Sequence, residues 1–289
     1  MLNVNNVLVT GLARDVAKHI PKEIMRLEIE MKKIFNSVNF FIVESDSSDE
    51  TIKSLENIKK DKDNFDYISL GNLEKIIPNR IQRLSYCRNI YVKKIRDDPT
   101  SHKFNHIAVV DFDIRNNYLN LSILKEFVTN NSWSGLFSNQ KGFYYDIYAL
   151  RCSDWSENDC FEEYRSLCEK YNSEKAKKIA IWSKMRKISE SSAPIMVDSA
   201  FGGFAVYKKN IFLEFDYADN LKKFINSEHV VLNKKITQNG GKLFILPSMT
   251  NFSWNPHNLS KIRLFRVLDS STKLKRLKII RRFFRNRLS

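Results

Sequence analysis

Two aspartates separated by a single residue are the clearest candidates for chemistry in this chain. Asp111 and Asp113 directly follow the apolar run at residues 107–110. Alternate residues of an extended strand point to the same side, so both carboxylates are expected to face one way. Carboxylate oxygens suit Mg2+ or Mn2+, and such an ion would neutralise a leaving nucleoside diphosphate as a Lewis acid. The alternative is a solvated turn, because this short pattern is common in proteins.

Two other apolar runs also end in polar clusters. Residues 7–9 lead into the cluster at 10–14, and residues 40–43 lead into the cluster at 44–46. In open α/β sheets, ligands bind outside the carboxyl ends of the strands. If all three runs are parallel strands, their three polar loops converge on one edge of the sheet and form a single site.

The pattern that would position these loops is an alternation of strands and helices. Short apolar runs predict strands at residues 7–10, 40–43, 67–70 and 106–110, and helical periodicity predicts helices at 15–35, 50–58 and 76–94. Such alternation is typical of an α/β fold with a mostly parallel sheet and helices on both faces.

The second half of the chain is less regular. We predict strands at residues 135–138, 147–150, 201–207 and 242–246, and helices at 160–188 and 227–237. Gly202 and Gly203 would permit a close approach of the backbone to a ligand, although a bulge or turn explains them equally well.

The charge of the chain is concentrated at its carboxyl end. The formal net charge is +15, and residues 261–289 carry +10 of it. An apolar stripe recurs there every three or four residues, interleaved with basic side chains: Leu274, Leu277, Ile280, Phe284 and Leu288, with Lys275, Lys278, Arg282 and Arg285. This pattern predicts a basic amphipathic helix that binds an anionic membrane surface. A solvated helix packed on the domain and a nucleic-acid-binding helix are the alternatives.

The remaining composition limits the class of protein. Hydrophobic residues make up 43% of the chain, which is enough for a large core and excludes wholesale disorder. The four cysteines form no CxxC pair, so we expect reduced, mostly buried thiols. Residues 1–9 do not resemble a signal peptide, and no apolar run is long enough to span a bilayer. We therefore expect a cytoplasmic or membrane-peripheral protein.

The order and spacing of several short motifs resemble those of GT-A glycosyltransferases, particularly the mannosyltransferase-like group associated with capsule synthesis. The resemblance covers roughly residues 5–257, which predicts a GT-A domain at 1–257 and a separate basic tail at 258–289. The matching motifs are residues 10–14, 44–51, Arg83, Arg88-Asn89, 110–113, 145–151, 201–207 and 227–229.

The resemblance implies a set of donor-binding residues. Residues 10–14 would line the nucleotide, Glu44 or Asp46 would bind the base or ribose, and arginines of the third helix would reach the diphosphate. The implied set is Thr10, Gly11, Leu12, Ala13, Arg14, Glu44, Asp46, Arg83, Arg88, Asp111, Phe112 and Asp113. Simple helix capping by residues 46–49 and a solvated Arg80 are the structural alternatives.

The resemblance also implies catalytic, metal-binding and acceptor-binding residues. Glu228 would be the general base and Asp113 its catalytic partner, and His257 would be a third metal ligand beside Asp111 and Asp113. The implied acceptor-binding residues are Tyr145, Asp146, Arg151, Gly202, Gly203 and His229. The family commonly has two acidic residues where this chain has Glu228 and His229, which leaves open both the identity of the base and the stereochemistry. Glu228 could instead stabilise a helix dipole.

Together these patterns predict a hexosyltransferase that depends on Mn2+ or Mg2+. It would move a sugar from a nucleotide-sugar to a glycan or lipid-linked acceptor in surface polysaccharide synthesis, at the inner face of the membrane. A nucleotidyltransferase is the first alternative, but it usually has a glycine-rich loop with a lysine, and residues 10–14 contain one glycine. A nucleic-acid-binding protein is the second alternative. We do not expect a nucleic-acid partner, because the +5 charge outside the tail is modest.

Overall fold

The fold is an eight-stranded mixed sheet covered by helices. A computed structural model describes residues 5–113, 119–130, 132–217 and 227–251. The strands are β1 (Asn6–Ala13), β2 (Ser37–Glu44), β3 (Phe65–Ser69), β4 (His106–Asp111), β5 (Gly135–Asn139), β6 (Ile195–Val197), β7 (Phe204–Lys208) and β8 (Leu243–Thr250).

Eight α-helices within the described residues connect and cover the strands. They are α1 (Ile20–Met31), α2 (Thr51–Asp61), α3 (Arg80–Asp97), α4 (Leu124–Phe127), α5 (Cys160–Cys168), α6 (Ser173–Lys177), α7 (Asn210–Glu214) and α8 (Glu228–Gln238). A π-helical turn, Lys178–Trp182, follows α6 directly.

The strand order is β3-β2-β1-β4-β7-β5-β8-β6. Strands β3, β2, β1 and β4 pair in parallel, as do β5 and β8. Strand β7 is antiparallel to both β4 and β5, and β6 is antiparallel to β8. The carboxyl ends of β1, β2, β4, β5 and β8 and the start of β7 therefore meet at one edge of the sheet.

The sheet has an apolar core on each face. Alternate residues of β1 divide between them: Val7 and Val9 join the core that contains α1 and α2, whereas Leu8 joins the core that contains α3. This arrangement confirms the predicted α/β class, with a mostly parallel sheet and helices on both faces.

Local sequence explains where two of the site-positioning helices begin. Helix α1 has a proline in its first turn, where its fixed φ suits the helix and no backbone donor is lost. Helix α3 begins after Asn79, whose side chain accepts hydrogen bonds from Ile81 N at 3.0 Å and Gln82 N at 3.1 Å.

Several predicted elements differ from the structure, and the strand predicted at 201–207, for example, begins at Phe204 after the turn at Gly202 and Gly203. The helix predicted at 15–35 is shorter, because Asp15 has a left-handed φ of +55° and the chain turns before α1. The strand predicted at 147–150 is wrong: Asp146 Oδ1 accepts from Ala149 N at 3.4 Å, which folds this segment into a turn. The helix predicted at 160–188 is interrupted after α5, and Asn172 caps α6 by accepting from Lys175 N at 2.9 Å.

Two further predictions concern the chain as a whole. All four cysteines are free thiols, and Cys87, Cys152 and Cys160 are buried, which confirms the expectation. Among the described residues, no helix has the length and apolar character that crossing a membrane requires. The predicted boundary at 257/258 and the basic tail lie outside the described residues.

Candidate active site

Asp111 and Asp113 lie at the carboxyl edge of the sheet, where the sequence placed them. Asp111 ends β4, its side chain is 26% exposed, and its backbone N–H donates to Gly203 O at 2.9 Å. Asp113 is exposed in the turn that follows. Burial, assisted by the nearby Asp113 carboxylate and opposed by Arg88, raises the pKa of Asp111 to about 7. Two carboxylates that share such a site are stabilised by a cation.

One buried arginine connects Asp111 to a second acidic residue. Arg88 of α3 is 3% exposed. Its Nε donates to Glu228 Oε1 at 3.0 Å and its Nη2 donates to Asp111 Oδ1 at 3.2 Å. The guanidinium carbon lies 5.4 Å from the Phe201 ring centroid and 5.5 Å from that of Tyr217. Helix α3 thus brings the end of β4 and the start of α8 together.

Glu228 and His229 form the first turn of α8 and are both buried. The His229 ring stacks on Phe201 with its centroid 3.8 Å away, and its Nε2 lies 3.6 Å from Glu228 Oε1. Burial, together with Arg88, lowers the pKa of His229 well below its usual value. Neither ring nitrogen has a hydrogen-bond partner among the described residues. His229 is therefore a neutral ring inside the domain, behind Glu228.

The diglycine pair forms a turn that touches the site directly. Gly202 and Gly203 have φ values of +74° and +86°. Gly202 N donates to Asp146 Oδ2 at 3.1 Å, and Gly203 O accepts from Asp111 N at 2.9 Å. A Cβ on Gly202 would lie 2.7 Å from the carbonyl oxygen of Ser138. The pair therefore joins Asp146 to Asp111 through the backbone.

Three fully buried polar side chains hold this turn from the opposite side. Gly202 O accepts from Ser138 Oγ at 3.1 Å, Gln140 Nε2 at 3.0 Å and Asn251 Nδ2 at 2.8 Å. None of the three is among the predicted site residues, although Ser138 lies near the end of β5, and Gln140 and Asn251 directly follow β5 and β8. The signal was a polar cluster at the end of an apolar run.

The predicted nucleotide loop after β1 is divided between the sheet and the surface. Thr10 is fully buried, and its Oγ1 donates to Phe41 O at 2.8 Å. Gly11, Leu12 and Ala13 continue β1 and pair with β2. Arg14 is the exposed member of the loop: its side chain is 48% exposed and its Nη2 donates to Glu74 Oε2 at 3.0 Å.

Asp46 and Arg83 contact each other beneath the loop after β2. Asp46 has a φ of +60°, its Oδ1 accepts from Glu74 N at 2.7 Å, and its Oδ2 lies 3.3 Å from Arg83 Nε. Arg83 also donates to Ile77 O at 2.7 Å. Glu44, 1% exposed, accepts from Ser47 N at 3.1 Å. These groups lie at the predicted edge and already have partners within the chain.

The remaining predicted residues lie around the carboxylates or behind them. Burial, together with the Asp146, Asp111 and Asp113 carboxylates, raises the pKa of Tyr145 well above its usual value. Arg151 is turned away: its Nη2 donates to Asp159 Oδ2 at 2.7 Å.

The ring of Phe112 is fully buried in the core beneath the turn that separates the two aspartates. Its carbonyl oxygen accepts from His19 Nε2 at 2.8 Å. The backbone of the turn is therefore anchored to the loop that precedes α1.

The described residues fit a divalent cation with two protein ligands. They contain no group of three or more His, Cys, Asp or Glu side chains placed to hold a metal, and His257 lies outside them. Asp111 and Asp113 supply carboxylate oxygens, and the raised pKa of Asp111 marks a carboxylate that a cation would stabilise. Mg2+ and Mn2+ commonly take one or two carboxylates and complete their shells with water and substrate phosphates.

Comparison with known proteins gives structural likenesses only. No protein-family model and no curated protein matches the chain. S. aureus TarS 1–349 is 14% identical with a TM-score of 0.46, and the match covers 94% of this chain and 68% of that one. PcManGT, a mannosyltransferase from Pyrobaculum calidifontis solved with GDP-Man and Mn2+, is 11% identical with a TM-score of 0.47; the match covers 85% of this chain and 56% of that one. A197 from STIV is 11% identical with a TM-score of 0.38, covering 84% and 82%.

Proposed function

We propose that this protein is a metal-dependent glycosyltransferase that moves a sugar from a nucleotide-sugar donor to a hydroxyl acceptor. The observation that carries the proposal is the arrangement at the carboxyl edge of the sheet. There Arg88 contacts both Asp111 and Glu228, and Asp113 follows two residues after Asp111 in an exposed turn. A pair of metal-binding carboxylates and a separate carboxylate base are what an inverting, metal-dependent transfer uses.

Asp111 and Asp113 would hold Mn2+ or Mg2+ at the exposed end of β4. When bound, the ion supplies Lewis-acid stabilisation of the departing nucleoside diphosphate. Arg14 adds a cationic side chain at the same edge, and its exposed ion pair with Glu74 can exchange for a phosphate. The donor would therefore lie across the ends of β1 and β4.

Glu228 is the proposed general base. Its carboxylate would take the proton of the acceptor hydroxyl as that oxygen attacks the anomeric carbon, and the bond from this carbon to the diphosphate oxygen would break. The bonding electron pair would leave with the diphosphate. Arg88 Nε donates to Glu228 Oε1 at 3.0 Å and so holds the carboxylate in a fixed position. This assignment describes an inverting transfer, so the anomeric configuration of the product, measured by NMR, tests it.

A donor screen tests the proposal as a whole. UDP-, GDP-, CMP- and dTDP-sugars would be added with Mn2+, and the unfolding temperature and release of nucleoside diphosphate would be measured. We expect one donor class to stabilise the protein, and EDTA to remove the effect. A protein that binds none of the donors would contradict the proposal. Release of pyrophosphate from a nucleoside triphosphate would support a nucleotidyltransferase instead.

We further propose a place and an acceptor class for the reaction. The basic tail at residues 258–289 would hold the enzyme on the anionic inner face of a membrane, where lipid-linked acceptors of surface polysaccharides are found. The support is the amphipathic pattern and the +10 charge of residues 261–289.

A further inference from the structure

We infer that Arg88 is a positioning residue that sets Asp111 and Glu228 relative to each other, and that it does not bind the donor diphosphate. The resemblance to GT-A glycosyltransferases implies instead that Arg88 reaches the donor diphosphate through its forked donors. This inference rests on the proposed function and gives one of its residues a different role.

Two of the three nitrogens of Arg88 donate to carboxylates within the protein, and the guanidinium is buried. Nε and Nη2 donate to Glu228 and Asp111 at 3.0 and 3.2 Å. Nη1 has no hydrogen-bond partner among the described residues, but it is buried as well. The rings of Phe201 and Tyr217 lie 5.4 and 5.5 Å from the guanidinium carbon. A diphosphate approaching from the exposed turn at Asp113 would therefore meet Asp111 before it met Arg88.

The helix that carries Arg88 is fixed on the sheet. Tyr91, Val92 and Ile95, on the following turns of α3, are each 1% exposed or less. From this fixed helix, the planar guanidinium donates two directed hydrogen bonds, one to Asp111 at the end of β4 and one to Glu228 at the start of α8. It thereby sets the separation between a metal-binding carboxylate and the base. That separation matters because a displacement of about 1 Å can lower a rate on the order of 100-fold.

The variant Arg88→Lys distinguishes a positioning role of Arg88 from a role in binding the diphosphate. Arg88→Lys retains the charge but cannot donate to both carboxylates through a planar fork. The matched control is Arg96→Lys on the same helix. Arg96 pairs with Asp216 at 2.9 Å and donates to Phe212 O at 2.8 Å, and it contacts neither Asp111 nor Glu228. For each protein we would measure kcat and donor KM, the Kd of UDP and of GDP with Mn2+, and the Mn2+ Kd by electron paramagnetic resonance.

We expect Arg88→Lys to lower kcat by about 100-fold and to weaken Mn2+ binding measurably, while the Kd of the nucleoside diphosphate changes less than about threefold. Arg96→Lys should leave all of these values near the parental ones. If Arg88 contacts the diphosphate, its loss should instead weaken nucleotide binding by about 10- to 100-fold, as for other hydrogen bonds to charged groups. That result, or a parental kcat in Arg88→Lys, would overturn the inference.

A second variant covers the case in which Arg88→Lys fails to fold. In Arg88→Gln/Glu228→Gln the buried charges are removed together, so no buried Glu228 carboxylate is left unpaired. We expect its nucleotide Kd to stay within about threefold of that of Glu228→Gln alone, since hydrogen bonds to a diphosphate would be worth more. A loss of tenfold or more overturns the positioning role while leaving the proposed function intact. A parental protein that binds neither Mn2+ nor nucleotide contradicts both.

Discussion

Asp113 lies in the exposed turn after β4, so its side chain can be changed without disturbing the core. We expect Asp113→Asn to reduce sugar transfer by at least about 100-fold, because the neutral amide binds a divalent cation weakly and the leaving diphosphate loses its stabilisation. The unfolding temperature should stay close to the parental value. Transfer assays and thermal unfolding measure the two effects, with the exposed Asp61→Asn as the matched control. Parental transfer by purified Asp113→Asn would show that the metal site is elsewhere.

Glu228 offers a second test at the residue scale. Glu228→Gln should lower kcat by about 100- to 10,000-fold, the usual contribution of a general base, with little change in donor KM. The amide is similar in shape and can still meet Arg88, so the donor site should be retained. Steady-state kinetics separate the two parameters. An unchanged kcat would point to a retaining mechanism or to another base.

At this scale the sequence predicts the location of the site better than the contacts within it. Asp111 and Asp113 could be placed because the apolar run at residues 107–110 marks the end of a buried strand, which is a local property. The contact between Arg88 and Glu228 could not, since 140 residues separate them and only the packing of α3 against α8 brings them together. Ser138, Gln140 and Asn251 were missed because no short motif marks them. Their positions at strand ends were the available signal.

The turn between β6 and β7 shows how an element supports the site. Gly202→Ala places a Cβ 2.7 Å from Ser138 O at a φ of +74°, so it combines a steric clash with backbone strain. Gly240→Ala is the matched control, because Gly240 has a φ of +79° and its added Cβ meets nothing within 4 Å among the described residues. We expect Gly240→Ala to lower the free energy of unfolding by about 1–2 kcal/mol through strain alone.

Gly202→Ala should lower the free energy of unfolding by more than this control and should also reduce transfer, because the turn carries the backbone contact to Asp111. Urea denaturation and transfer assays compare the two variants. Equal losses of stability in both variants would show that the three side chains that donate to Gly202 O can shift to accommodate the added Cβ, and that they do not hold the turn rigidly.

Strand β4, which ends at the candidate metal site, begins at a buried histidine. His106 is 4% exposed, its ring centroid lies 5.7 Å from that of Trp133, and burial together with Lys208 lowers its pKa to about 4. Between about pH 6.5 and pH 4 the unfolded chain binds a proton at this residue and the folded chain does not. The contribution of His106 to stability should therefore fall by about 3 kcal/mol as the pH is lowered through this window, whereas Asp111, whose pKa is raised, contributes in the opposite sense.

His106→Phe retains a ring against Trp133 without a titrating group, so the difference in unfolding free energy between the parental protein and this variant should show the contribution of His106 alone. The ion-paired carboxylates affect stability at lower pH. The pKa of Glu28 is lowered to about 2, so the stabilisation that this carboxylate contributes is lost only as the pH falls below about 4.5. Chemical denaturation at several pH values distinguishes the two. The same pH dependence in both proteins would assign it to another group.

Over the whole molecule, the two halves differ in how far the sequence specifies them. From β1 to β4 each strand is followed by a helix, and the local periodicities of two and 3.6 residues identify both. Beyond β4 the sheet depends on long-range pairing: β7 inserts antiparallel between β4 and β5, and Arg151 forms an isolated bridge with Ser199. Residues 147–150 were predicted as a strand because their apolar run is ambiguous without those partners.

The tail gives the last test, at the scale of the whole protein and its surroundings. Residues 271–289 contain eight Lys or Arg residues and no acidic residue, and they lie outside the described part of the chain. We expect their removal to release the protein from anionic vesicles, since each basic residue near such a surface contributes about 1 kcal/mol and the apolar stripe adds burial. Transfer to a soluble acceptor analogue should change little, because the carboxylates belong to the sheet. Vesicle sedimentation at low and high salt measures both contributions, as salt screens only the charge. Equal pelleting of the two proteins would exclude the anchor, whereas loss of transfer on truncation would indicate a tail packed into the fold.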